Sequence, residues 1–169
     1  MKLKLCFLLL SAVIIGLTLH LSSVFIETAE NEAHSEISDK EDLAKRIFFE
    51  IRHVDNPTEK AELYRKAADE CSETEFAQEA LWRLSQLYIN DFDEPNVKEA
   101  IDCLEYFIKT YPESEWRSHV EFSLFGLYEK EGLWSKAVAL CEKLMAENPD
   151  MPSGLKEELS RRYNAAKAK

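Results

Sequence analysis

Four histidines, four cysteines and 32 carboxylates are the residues of this 169-residue chain best suited to ligate a metal, attack a substrate or carry a proton. Their spacing points to none of these. His20, His34, His53 and His119 form no HExxH motif and no i, i+4 pair, the arrangement that puts two imidazoles on one helix face to hold zinc. Each is expected to be structural. Cys6, Cys71, Cys103 and Cys141 show neither a CxxC redox motif nor the close pairs of a zinc site. Cys141 reads as a core residue, and Cys71 and Cys103 have no assigned role. A nucleophile needs a base and an oxyanion site, yet no G-x-S-x-G turn and no Cys/His pairing is visible. Gly16, Gly126, Gly132 and Gly154 are the only glycines, too scattered to build a phosphate-cradling loop. Carboxylates spread over a helical surface serve mainly to solvate it. The expectation is a non-enzyme with no cofactor and no metal.

The formal net charge is −11, and since no acid precedes Glu27 the chain beyond the first residues is more acidic still. Such a surface repels phosphates, so nucleic acid is not expected as a partner. Lys2 and Lys4 are followed by a stretch from Leu5 to Ile26 free of Asp, Glu, Lys and Arg, and then by Glu27 and Glu30. Positive charge before an apolar run and acid after it orient the start inward and the rest outward. At about 1.5 Å per residue the run reaches roughly 33 Å, enough for a bilayer core of about 30 Å. Residues 1–26 therefore read as an inner-membrane anchor that leaves the rest facing the periplasm or extracytoplasmic space. The alternative is a signal peptide cut after Ser23, although Leu21 sits where a small residue is preferred; the product would be periplasmic. Cys6 lies at the start of the apolar run instead of ending it, so lipidation is not indicated.

Residues 27–40 carry acids and little to bury and read as a flexible, solvated linker. Four glycines and five prolines in the whole chain suit helices joined by short turns, and residues 41–169 read as one all-α domain. Leu43, Ile47, Ile51 and Val54 make the first helical stripe, from about Glu41, with Ser38 and Glu41 spaced as a capping box. Asn56 and Pro57 break that helix, and Thr58 is placed to cap a second one running to about Cys71. Further helices are expected near 75–90, 95–110, 115–131, 134–147 and 153–167, with Pro95 and Pro152 in first turns. On the last, Leu155, Leu159 and Tyr163 form an inward stripe while Lys156, Arg161, Arg162 and Lys167 face water.

The chain also repeats itself. Residues 80–116 parallel residues 121–150: Leu84 matches Leu124, Tyr88 matches Tyr128, Ala100 matches Ala137, Leu104 matches Cys141, Phe107 matches Leu144, and Pro112 matches Pro149. The first two pairs lie 40 residues apart and the others 37, so three extra residues belong between Asn90 and Asn96. A helical hairpin cannot cover its own apolar face, and stacking on the next hairpin, with Ala where axes touch, does so.

A first-helix Leu and Tyr, an early second-helix Ala and a closing Pro resemble the tetratricopeptide repeat (TPR), here slightly longer than its usual ~34 residues. The phrases YPESEW and NPDMPS are similar to the variant found in bacterial envelope assembly proteins, the BamD-like lipoproteins and the coordinator of the Tol-Pal system. Phe125 departs from the pattern, standing where the family often has Gly. The resemblance implies a right-handed superhelical array of antiparallel helix hairpins, a TPR-like α-solenoid, closed by a C-terminal capping helix. It implies a scaffold or adaptor that holds a protein or peptide partner in a concave groove lined by first helices, joined to the membrane through its N-terminal segment. On that face the alignment places Trp82 and Phe122 at equivalent positions, with Gln86, Ile89 and Glu129 further along, as partner-binding residues. Large aromatics are frequent binding anchors, and equally frequent core residues. A structural envelope component without a groove ligand and a helical cell-wall-degrading enzyme are the other readings.

Overall fold

The computed structural model describes residue 32 and residues 34–169. The stretch 1–26, and with it the anchor or signal-peptide reading, lies outside them. Seven helices and no strand occur among the described residues: α1 (34–51), α2 (Pro57–Glu70), α3 (Glu75–Asn90), α4 (Val97–Thr110), α5 (Arg117–Lys130), α6 (Trp134–Glu147) and α7 (Ser153–Lys167). From α2 onward each helix packs on the next, and Phe48 of α1 meets Tyr64 of α2 and Phe76 of α3 edge-on at 5.8 and 5.7 Å between ring centres. The result is an all-α array of helical hairpins. None of these helices is long and apolar enough to cross a membrane.

The repeat pairs occupy matching places. Leu84 and Leu124, Tyr88 and Tyr128, Ala100 and Ala137, Leu104 and Cys141, and Phe107 and Leu144 are all buried. Both hairpin turns close alike: the amide of Asn96 donates to the carbonyl of Tyr88, and that of Leu133 to the carbonyl of Tyr128, each at 2.8 Å. The three extra residues of the α3–α4 turn are thus absorbed without disturbing either helix. In the shorter α5–α6 turn Gly132 takes φ +70°, a left-handed conformation that costs a residue with a Cβ. Its amide returns to Glu129 as that of Leu133 does to Tyr128, satisfying carbonyls the helix end would otherwise leave bare.

Each repeat tyrosine also ties its helix to the second helix of the preceding hairpin. The Tyr88 hydroxyl accepts from Arg65 of α2, Tyr128 donates to Glu105 of α4 at 2.7 Å, and Tyr163 of α7 donates to Glu142 of α6 at 2.8 Å. That third bond shows what α7 is. Leu159-Ser160-x-x-Tyr163 repeats Leu84-Ser85-x-x-Tyr88. The last helix is therefore built as a further first helix. It differs where Lys156 stands in the place of the buried Leu81, so that this side of α7 is exposed and polar.

Several local expectations are corrected. The first helix does not start near Glu41; it already includes residues 34–40, and Ser38 lies inside it, so the capping box does not form. The side chains there are largely exposed, as a solvated segment requires, but acids near a helix N-terminus favour the helix dipole. Lys40 adds a tie, reaching Glu36 at 2.9 Å on its own helix and Glu73 at 2.7 Å in the α2–α3 turn. Asn56, not Thr58, caps α2, accepting from the amides of Thr58 and Glu59, and Pro57, expected to break the first helix, is the first residue of the second. Pro95 precedes the first turn of α4, and Pro152 is the residue flanking α7. Leu155 is exposed, while Arg162 turns inward: its guanidinium lies 4.3 Å from the centre of the buried Phe125 ring and pairs with Glu129. Phe125 replaces the small Ser85 of the preceding repeat, so α7 needs a flat cation there to cover the ring.

Candidate functional site

The first helices touch in sequence through side chains: Phe48 on Phe76, Trp82 on His119, and Phe125 and Glu129 on Arg162. Across this face runs a cleft of about 780 Å³. Ile51, Arg52, Val54 and Asp55 from the end of α1 and its turn, and Lys60 and Tyr64 from α2, make one end. The middle is α3, with Glu79, Trp82, Arg83, Gln86 and Leu87, and the far end is Glu115 and Trp116 before α5 with His119 inside it.

The α3 stripe places these side chains by helical spacing. Trp82, Gln86 and Glu79 share one face at intervals of three and four, while Leu81, Leu84 and Tyr88 on the other side are buried. Ser85 donates to the carbonyl of Trp82 at 2.7 Å, so even the small residue behind the cleft is satisfied. Trp82 is half-buried and packed against the core, and its ring centre lies 4.6 Å from that of His119, tilted by 58°. Trp116 is 42% exposed, unusual for so large an apolar side chain. Its loop is pinned: Ser114 donates to Gln78 of α3 at 2.6 Å and accepts from the Trp116 amide, and Arg117 donates to the Pro112 carbonyl at 2.6 Å. Arg83 is held by Glu79 at 2.6 Å, whereas Asp55, Asp91 and Glu115 form no ion pair among the described residues. Burial is the main influence on Tyr64, and it raises the phenol above its ordinary range, so it stays a neutral hydrogen-bonding group.

Of the residues expected on the binding face, the structure brings together Trp82 and Gln86. Ile89 packs against the core away from the cleft, and Glu129, its counterpart one repeat on, is engaged by Arg162. Phe122 lines a second depression of about 430 Å³, with Pro149, Met151, Pro152 and Leu155. It lies one helical turn from His119 on α5, so the two hollows follow one another along the same helix. Trp116 and His119 were not expected there. The signal for Trp116 was present in YPESEW, an aromatic directly after a turn where nothing in the periodicity asks for a core residue.

A second charged cluster lies inside the α5–α6 hairpin. Glu121 is 1% exposed and its carboxylate takes Arg117 at 3.0 Å and Lys143 at 2.6 Å. It occupies the place of Leu81 in the preceding repeat, and its partners are structural cations on neighbouring turns. Cys71 and Cys141 are fully buried and Cys103 partly so, and all three are free thiols. Burial pushes the Cys103 thiol up to about 11, which leaves it protonated and unreactive near neutrality. No group of three or more His, Cys, Asp or Glu side chains among the described residues is placed to hold a metal ion. The cleft therefore offers aromatic surface, amide and carboxylate groups for recognition. No family model matches the chain, and no curated protein and no solved structure matches it.

Proposed function

We propose that this protein is a TPR-like scaffold that holds a segment of another protein in the cleft across its first helices and catalyses no reaction. The observation that carries the reading is the pair of indoles, half-buried Trp82 and exposed Trp116, lining one cleft of about 780 Å³. Aromatic side chains bury much apolar area at small entropic cost, and they dominate binding hot spots for that reason. The lysine-led apolar run and its acidic flank support placing this scaffold outside the cytoplasm at the cell envelope, tethered by its N-terminal segment or released after cleavage.

The two tryptophans separate binding from folding. Trp116→Ala removes an exposed ring and is expected to leave the melting temperature nearly unchanged while weakening partner capture at least tenfold, as loss of a hot-spot residue of about 2 kcal/mol would. Trp82→Ala is expected to weaken capture and also to cost stability, since part of that ring packs on the core. Undiminished capture by a folded Trp116→Ala variant would refute the reading.

A further inference from the structure

The chemistry of the occupant can be narrowed from the charges and rings that face it, given the groove reading on which this rests. Three aromatic rings of the fold already carry a cation: Lys136 lies 5.4 Å from the centre of Tyr128, Arg162 4.3 Å from Phe125, and Lys167 5.2 Å from Tyr163. Neither groove indole carries one among the described residues, although indole is the best acceptor of a cation on its face. Glu115 is adjacent to Trp116 in sequence, lines the same cleft, and has no ion-pair partner among the described residues.

The charge balance points the same way. Of the groove cations, Arg83 is already held by Glu79, and Arg52 and Lys60 belong to the α1–α2 end, on the other side of α3 from Trp116. The Phe122 depression has Glu147 and Asp150 on its rim and no cation at all. Glu147 has only a distant lysine, Lys143 at 3.9 Å, which is already bound to Glu121, and Asp150 has no ion pair among the described residues. An acidic segment crossing from the Trp116 end of the cleft to the Phe122 depression would meet Glu115, Glu147 and Asp150, on a chain whose net charge is −11. Helices α3, α5 and α7 stand side by side, and at about 8–10 Å per helix pair and about 3.3 Å per extended residue the crossing takes about six residues.

We propose that the groove takes an extended basic segment of another protein. A guanidinium or ammonium group of that segment lies against Trp82 and Trp116 beside the Glu115 carboxylate, and an apolar side chain sits in the Phe122 depression. The probe is a fluorescein-labelled octapeptide of alternating arginine and leucine, compared with versions carrying citrulline or glutamate in place of every arginine. Binding to the full chain is read by fluorescence anisotropy. The arginine peptide is expected to bind at least tenfold more tightly than the citrulline peptide, and the glutamate peptide not to bind. Glu115→Gln and Trp116→Ala are each expected to weaken the arginine peptide at least threefold. Asp102→Asn, on the far side of the array at α4, is expected to leave it unchanged. Equal binding of the arginine and citrulline peptides, both lost in Trp116→Ala, would overturn the basic preference while leaving the groove intact as a binding site. An equal loss in Asp102→Asn and Glu115→Gln would overturn it too, by showing diffuse attraction to an acidic surface. Failure of every peptide to bind would also overturn it, and the groove reading would then stand or fall on crosslinking from Gln86.

Discussion

Replacing Glu121 with leucine should not harm this protein, although the carboxylate is buried and grips two cations. Taking a carboxylate and its partners out of water costs several kcal/mol per ion, and the mutual attraction offsets this only partly, so exchanging a buried ion cluster for apolar packing is often neutral or stabilising by about 1–4 kcal/mol. The structure shows why the exchange works here. Leucine is what the preceding repeat has at the equivalent position, Leu81, with 5% exposure. Neither cation would be stranded: Arg117 keeps its bond to the Pro112 carbonyl, Lys143 has Glu147 at 3.9 Å, and their side chains are 26% and 33% exposed. Removing the cations instead, as Arg117→Met with Lys143→Met, leaves the Glu121 charge buried and unpaired, and this should cost about 3–5 kcal/mol. Urea denaturation followed by far-ultraviolet circular dichroism gives both values. A loss above about 2 kcal/mol for Glu121→Leu would mean that the buried ion cluster is itself a net source of stability, and no loss for the double variant that the unpaired carboxylate carries no penalty.

Other perturbations test the repeat geometry. Ala137 is wholly buried where α6 meets its neighbours, so Ala137→Leu should cost roughly 1–3 kcal/mol, and an unchanged melting temperature would count against the alignment. Gly132→Ala forces a Cβ into the left-handed region at the end of α5 and should cost about 1–2 kcal/mol, readable in the same melt. With its thiol raised to about 11 from 9.0, native Cys103 has roughly a hundredfold less thiolate at pH 8 than it would without that shift. Iodoacetamide should therefore label it slowly until urea is added, and rapid labelling of the native chain would contradict the burial described.

Much of this fold was legible because apolar periodicity is a strong signal where each helix has one covered face. The expected 75–90, 134–147 and 153–167 spans coincide with α3, α6 and α7, and the remaining boundaries from α2 onward fall within about two residues. What failed was local competition between signals. Acids read as a solvated linker at residues 34–40 also suit a helix start, and the tie from Lys40 to Glu73, 33 residues away, is not visible in the local sequence. Arg162 read as a surface cation because nothing nearby in sequence shows that Phe125 needs a cover. The equivalence of Trp82 and Phe122 placed both on the first-helix face but not in one hollow, since the ring that meets Trp82 is His119. The Leu-Ser-x-x-Tyr phrase in α7 was readable, yet its neighbours Lys156 and Arg162 disguise it as an unrelated cap.

A protein held in the cleft across the first helices must lie within reach of Gln86. This is tested most directly by a photo-crosslinking amino acid at Gln86, inside that cleft, with the full chain in living cells. A discrete protein adduct is expected, one that disappears in Trp116→Ala and does not form when the crosslinker is moved to Asp102. No adduct from Gln86, or one that forms equally from Asp102 and survives Trp116→Ala, would contradict it.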